Sequence, residues 1–202
     1  MERRDALKNI GFGSMGILAS TALFGALQGC SSTPEVNWIP TVLRPAEAAQ
    51  LEKFCEAVLP ETDTPGAIQA GVPKHLDKAM GTINKDKDVD YIRKGMAVFV
   101  RNYDGNYNKA TTDEVTAAIN QRFKDYEADG SINSRLFADY DKEGPRDEAY
   151  LEAFFVNNVV QATFWSYFTS QLVGETVMRY DPIPGKYEDI TYKPGERAWA
   201  SV

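Results

Sequence analysis

The chain is poor in the residue types that most catalytic and metal-binding sites are built from. It contains one histidine, His75, in 202 residues. A lone imidazole leaves no Ser–His–Asp arrangement to assemble, and without neighbouring acids or thiols it makes a weak metal-ligand candidate. Cysteine occurs twice, at Cys30 and Cys55, and no C-x-x-C-H run is present, so no covalent haem site is written in the chain. There is no dinucleotide-binding glycine pattern and no cluster of metal-ligand residues. Positive charge is scarce: 22 Lys and Arg stand against 29 Asp and Glu, for a net charge of −7. An acidic chain without a basic patch is a poor nucleic-acid binder. The remaining composition, 43% hydrophobic and 25% charged, is that of a globular domain long enough to bury one core.

The stretch 148–173 contains neither proline nor glycine, and its last acid is Glu152. Leu151, Phe154, Phe155, Asn158, Ala162 and Trp165 recur at helical spacing, and Phe164 and Phe168 widen the stripe. Val156, Val159 and Val160 fall on other faces, so the expected helix is apolar almost all round and suits the centre of a bundle. Gly174 stands where such a helix ends. Asn157, Asn158, Gln161, Ser166, Ser170 and Gln171 argue against a membrane span.

The rest reads as shorter helices around it. The spacing predicts a helix over 45–59, with Leu51, Phe54, Cys55, Val58 and Leu59 inward. A short one follows Pro73, with Leu76, Ala79, Met80 and Ile83 inward and His75 just off that stripe. Another is expected over 89–103, and a fourth over 112–127 behind a Thr111–Glu114 capping box. Residues 129–146 read as a polar connection, and the segment from Tyr180 as an irregular aromatic tail, lying on its own domain or on a partner. The expected fold is all-α: a compact bundle of about five helices around a long apolar helix near 147–173.

Three acidic clusters invite chemistry. Glu61 and Asp63 sit among hydroxyls, but Pro65-Gly66 forces a turn in which Asp63 or Thr64 would bond backbone N–H groups. Asp86, Asp88 and Asp90 alternate like the start of a calcium loop, yet Tyr91 replaces its glycine and Ala97 its glutamate; charge near a helix start is the better reading. Asp125–Leu136 follows the calcium-loop order further, through Asp129 and Gly130, but ends on Leu136 instead of the bidentate glutamate. A plain acidic turn between helices explains it more simply. Cys55, on an apolar face, reads as a small buried hydrophobe.

The N-terminus carries an address. Arg3 and Arg4, with Leu7 and Lys8, resemble the start of a twin-arginine export signal, and residues 10–29 are uncharged and rich in small residues. Leu27-Gln28-Gly29-Cys30 resembles a lipobox, in which Cys30 becomes the lipid-carrying first residue. The chain therefore divides into a signal over 1–29, a tether over 30–43 and one helical domain over 44–202. An uncleaved membrane anchor is the rival reading; both place the remainder outside the cytoplasmic membrane, facing the periplasm. An acidic surface avoids anionic lipid, so attachment falls to the lipid chains, and stable anchoring needs more than one.

Three further stretches, in order, resemble the gluconate 2-dehydrogenase subunit 3 family. The first is PETDTPGA at 60–67 (Pro60, Glu61, Thr62, Asp63, Thr64, Pro65, Gly66) with Gly71 in the AGV that follows. The second is TFWSYFTSQLVGE at 163–175, holding Tyr167, Gly174 and Glu175. The third is RYDPIPGKY at 179–187, holding Tyr180, Pro184, Gly185 and Tyr187. The match covers roughly 45–190, most loosely over 104–146.

The resemblance implies an accessory subunit that accompanies a flavoprotein dehydrogenase of the glucose-methanol-choline type, often with a multihaem cytochrome c subunit. FAD and haem c would then belong to the partners and no cofactor to this chain. The small subunit would carry the flavoprotein through the export machinery, which takes folded cargo, and stabilise it. The 60–72 loop and the aromatic tail are the candidate contacts, because an interface of this kind would use non-helical, aromatic-bearing surface. The alternative is an independent extracytoplasmic lipoprotein with calcium-binding or hydrolytic activity, the latter through Glu61 and Asp63.

Overall fold

A computed structural model describes residues 36–142, 144–180, 191 and 193–199. Among these lie seven α-helices and one 3-10 turn, with an isolated backbone bridge between Arg179 and Trp199 as the only extended pairing. The all-α expectation holds, with more helices than the expected five.

Helix α1 spans Pro45–Val58 and opens on a reciprocal cap: the Glu47 carboxylate accepts the Arg44 backbone N–H at 2.8 Å. Helix α2, Val72–Thr82, starts from Gly71, whose φ of 72° lies in the left-handed region that glycine enters without steric cost. Helix α3, Asp86–Arg101, has Asp86 and Asp88 in its first turn and Arg101 in its last, as the helix dipole favours. Helix α4, Thr112–Asp129, carries the expected Thr111–Glu114 capping box. Helix α5, Ser131–Ala138, follows Gly130 directly. Helix α6, Glu148–Phe168, is capped by Asp147, which accepts the Tyr150 N–H at 2.8 Å. Helix α7, Gln171–Thr176, is short.

The closest crossing is between α3 and α6. Gly95 lies against the Leu151 carbonyl, and a Cβ at this position would overlap both that oxygen and the Phe155 Cβ. The approach brings Phe155 onto Phe54 of α1 and Phe99 of α3, with ring centroids 4.7 and 5.8 Å away, while Phe54 and Phe99 meet edge to face at 5.4 Å. All three rings are buried. Tyr91 extends the cluster, edge-on to Tyr150 and Phe154.

Several expectations need correction. The polar connection over 129–146 contains α5. The apolar helix does not run to residue 173: it ends at Phe168, where Thr169 and Ser170 hydroxyls bond the carbonyls of Trp165 and Tyr167, both at 2.8 Å. Hydroxyls that satisfy helix-end carbonyls compete with continuation of the helix. Ser170 then caps α7, and Gly174 lies inside it. No helix among the described residues is long and apolar enough to cross a membrane.

Only the first half of α6 is covered nearly all round; in the second half the buried face is Val159, Thr163, Ser166 and Tyr167, while Phe164, Trp165 and Phe168 are exposed. Thr163 tolerates burial because its hydroxyl donates to Val159 O at 2.7 Å. Asp125, Glu127 and Asp129 lie in the last turns of α4, so their carboxylates project in different directions instead of converging as in a calcium loop. Among the described residues no group of His, Cys, Asp or Glu side chains is arranged to hold a metal.

The described end of the expected tether is packed down. Leu43 is buried, and Trp38 Nε1 donates to Glu52 Oε1 at 2.7 Å. Asp77 of α2, 1% exposed, accepts four hydrogen bonds: from Thr41 N and Oγ1, both at 2.6 Å, Leu43 N at 2.8 Å and Val42 N at 3.1 Å. Burial pushes this carboxyl up, but the four donors together outweigh it and hold the pKa below the usual carboxylate value.

Gly95→Ala gains about 1 kcal/mol of helix propensity, but overlap with backbone outweighs that gain, for a net loss of about 2 kcal/mol in denaturant unfolding. Asp77→Asn places an amide N–H among donors and costs about 1–3 kcal/mol at neutral pH. Because the Asp77 pKa is depressed in the fold, its contribution is complete above the unfolded value, about 3.9, and fades as pH falls through the lower folded value. The stability gap between wild type and variant should therefore narrow below about pH 4; a constant gap down to pH 2 would contradict this.

Candidate interaction surface

Between α1 and α2 the chain passes through the 60–71 loop. Its exposed outer part is polar: Pro60, Glu61, Thr62, Asp63 and Thr64 all face solvent. Its inner part is fastened. Glu56, in the last turn of α1, accepts the N–H of Glu61 at 3.0 Å and of Ile68 at 2.9 Å. Ala67 N donates to Leu59 O at 2.8 Å, and Ala67 is fully buried. Gly66 is packed so closely that a Cβ would strike the Glu56 carboxylate and the Glu61 nitrogen. Thr62 Oγ1 accepts the Thr64 N–H at 3.4 Å, so Glu56 and Thr62 fill the part expected of Asp63 or Thr64. Glu56 is invisible to a motif reading, because its partners appear only once the loop folds back on α1.

The loop also touches α6. The buried Tyr167 hydroxyl donates to Pro65 O at 2.7 Å, joining two of the three family-like stretches. Phe168 stands edge-on to Tyr167 at 5.3 Å and is 43% exposed. In α7, Gly174 is buried, and the exposed Glu175 accepts from Gln171 Nε2 at 2.8 Å. Tyr180 is exposed. The described part of the tail returns to its own domain: Arg179 N donates to Ala198 O at 2.8 Å, the Arg179 guanidinium lies 4.3 Å from the Trp199 ring centroid, and Arg197 donates to Thr176 O at 3.0 Å. Arg3, Arg4, Cys30, Pro184, Gly185 and Tyr187 lie outside the described residues.

The chemistry available at these places is that of contact. Glu61 and Asp63 have exposed carboxylates with no hydrogen-bond or ion-pair partner among the described residues, so the geometry gives a hydrolytic reading nothing to build on. Cys55 is fully buried, and burial pushes its thiol up to about 12, far from a reactive thiolate. The buried acids are used structurally: Glu47 pairs with Arg93 at 3.1 Å, and Glu152 with Arg122 at 2.9 Å.

The motif reading missed a groove of about 950 Å³ between α2 and α5, floored by α6. Leu76, Ala79 and Met80 line it from α2 with Ile83 at that helix's C-terminal cap, Leu136 and Phe137 from α5, and Phe154, Val159, Ala162 and Trp165 from α6. The expected inward face of α2 is thus only half buried in the core, and Ile83 is 75% exposed. His75 sits at one end with its ring 5.9 Å from that of Trp165.

Tyr167→Phe removes the only side-chain hydrogen bond between α6 and the Pro65 carbonyl among the described residues. The expected cost is about 1 kcal/mol in thermal unfolding, with faster hydrogen exchange at Ala67 and Ile68 than at α3 amides. Unchanged exchange in the loop would show that Glu56 and the Ala67–Leu59 backbone bond fasten it without Tyr167.

The profile described as Gluconate 2-dehydrogenase subunit 3 matches residues 45–185. No curated protein and no solved structure matches the chain. The matched region spans most of the chain and includes all seven helices of the described residues. The chain belongs to the gluconate 2-dehydrogenase subunit 3 family and is an accessory subunit of a dehydrogenase complex.

Proposed function

We propose, from this family membership, that the chain is a non-catalytic subunit that escorts, stabilises and membrane-tethers an FAD-dependent dehydrogenase of the glucose-methanol-choline type acting on a sugar, sugar acid or polyol. The observation that carries the reading is the family match across the helical domain. The use of buried acids as structural ties, and the fastening of the 60–71 loop from both sides, support a chain built to present surface. Flavin chemistry would belong to the large subunit and onward electron transfer to a cytochrome c subunit. Lipid on Cys30 would hold the assembly at the membrane, and the Arg3-Arg4 start would send it out folded.

Affinity capture through a tag after Val202 tests this in cells that also make the catalytic subunit. The large subunit should co-purify with FAD, and the isolated chain should carry none. Cys30→Ser should move dehydrogenase activity from the membrane to the soluble fraction, and Arg3→Lys with Arg4→Lys should retain both subunits in the cytoplasm. Flavin or haem bound to the isolated chain, one per molecule, would overturn the proposal.

A further inference from the structure

We propose that the groove between α2 and α5 is the seat of an uncharged apolar segment of the dehydrogenase's catalytic subunit, and this rests on the function proposed above. Three observations point to it. The first is the cost of leaving the surface bare. Phe137 of α5 is 88%, Ile83 at the C-terminal cap of α2 75% and Trp165 of α6 60% exposed, and all three converge on one cavity. Scattered single hydrophobics on a surface need no explanation, but large ones gathered around one concavity mark an interface. The 60–71 loop, by contrast, exposes mostly polar groups.

The second is charge. A quarter of the chain is charged, yet the groove is lined by one carboxylate, Asp88, and one imidazole, His75. Asp88 is already engaged, accepting the Tyr140 hydroxyl at 2.7 Å. A cation beside the groove is engaged too: Lys87 lies 4.1 Å from the centroid of the Tyr140 ring, which lines the groove, and donates to the Tyr140 carbonyl. With one carboxylate that is already hydrogen-bonded and otherwise neutral walls, a charged occupant would gain little here and would lose its hydration.

The third is the floor. Asn157 and Asn158 each donate back to their own helix, to Ala153 O at 2.9 Å and Phe154 O at 2.8 Å. Their amide oxygens remain free to accept among the described residues. The groove thus offers apolar walls with a few acceptors along the bottom. This suits an apolar helix or strand presenting neutral donors such as Ser, Thr or Asn, in the helix-in-groove manner of recognition. The partner is a dehydrogenase subunit because this chain belongs to a family of dehydrogenase subunits. Trp165, beside His75 at one end, is the expected anchor.

The test uses full-length tagged chain made together with the catalytic subunit. Phe137→Ser with Ile83→Ser changes two exposed side chains and should leave the circular dichroism and melting temperature unchanged. It should lower co-purified dehydrogenase by roughly ten-fold or more. Glu61→Ala with Asp63→Ala should leave capture at the wild-type level. In a separate sample, a photo-reactive residue at position 137 of an otherwise unchanged chain should cross-link to the catalytic subunit.

Wild-type yield from the groove variant, with no cross-link from position 137, would overturn the groove assignment and leave the proposed function standing. A cross-link to a second copy, or to residues 1–35 of the same chain, would overturn it in favour of that occupant. Failure of the unmodified chain to capture any flavoprotein would remove both proposals.

Discussion

The fold depends on a single point of close contact, the passage of α6 over Gly95. Only a residue without a Cβ lets the Leu151 carbonyl lie against α3. That closeness brings Phe155 into contact with both Phe54 and Phe99, so three helices share one aromatic cluster. Packing at this density leaves little room for adjustment. The consequence reaches the surface. The first half of α6 is consumed by the core, and α2 and α5 pack on its flanks without meeting over its second half. The groove is what remains between them.

The chain's acids fit the same logic. Asp77 fastens residues 41–43 to α2, Glu47 links α1 to Arg93 of α3, Glu56 closes the 60–71 loop, and Glu152 joins α6 to Arg122 of α4. Asp77, Glu47 and Glu152 each connect segments 30 or more residues apart, while Glu56 closes a local loop. Three of them, Glu47, Asp77 and Glu152, are buried, and a buried, paired carboxylate resists motion because removing its partner leaves a charge without compensation. Such carboxylates are poorly suited to proton transfer and well suited to holding a surface in one shape, which is what a subunit that works by contact requires.

Much of this was legible in the sequence, because it is local. The Thr111–Glu114 cap, the acidic first turn of α3 and the buried face of α1 all follow from spacing within a few residues. The second half of α6 was misjudged for a physical reason. Trp165 and Phe168 sit on the same stripe as Phe154, so periodicity alone turned them inward. The fold instead buries Thr163 and Ser166, small enough to fit, with the Thr163 hydroxyl bonded to its own helix. The α5 helix was hidden by its polar composition: Ser131, Asn133 and Ser134 read as loop, and only Ile132 is buried. The groove was out of reach, since its walls come from α2 and α5, which no periodicity relates. Periodicity places its residues inward or in a connection, and their meeting is a tertiary fact.

The separation between the family-like loop and the groove bears on how such a subunit would work. The 60–71 loop is rigid, held by Glu56 below and by Tyr167 from the side, and its exposed edge is polar. The groove is apolar and lies between α2 and α5. The two are joined through covalent neighbours on one helix: Tyr167 faces Pro65, while Trp165, two positions earlier, faces the groove. Residues two apart on a helix point in clearly different directions. One turn of α6 therefore sets both surfaces at once. The loop is thus held in a fixed orientation relative to the groove, and the affinity for a partner in the groove would come from apolar burial.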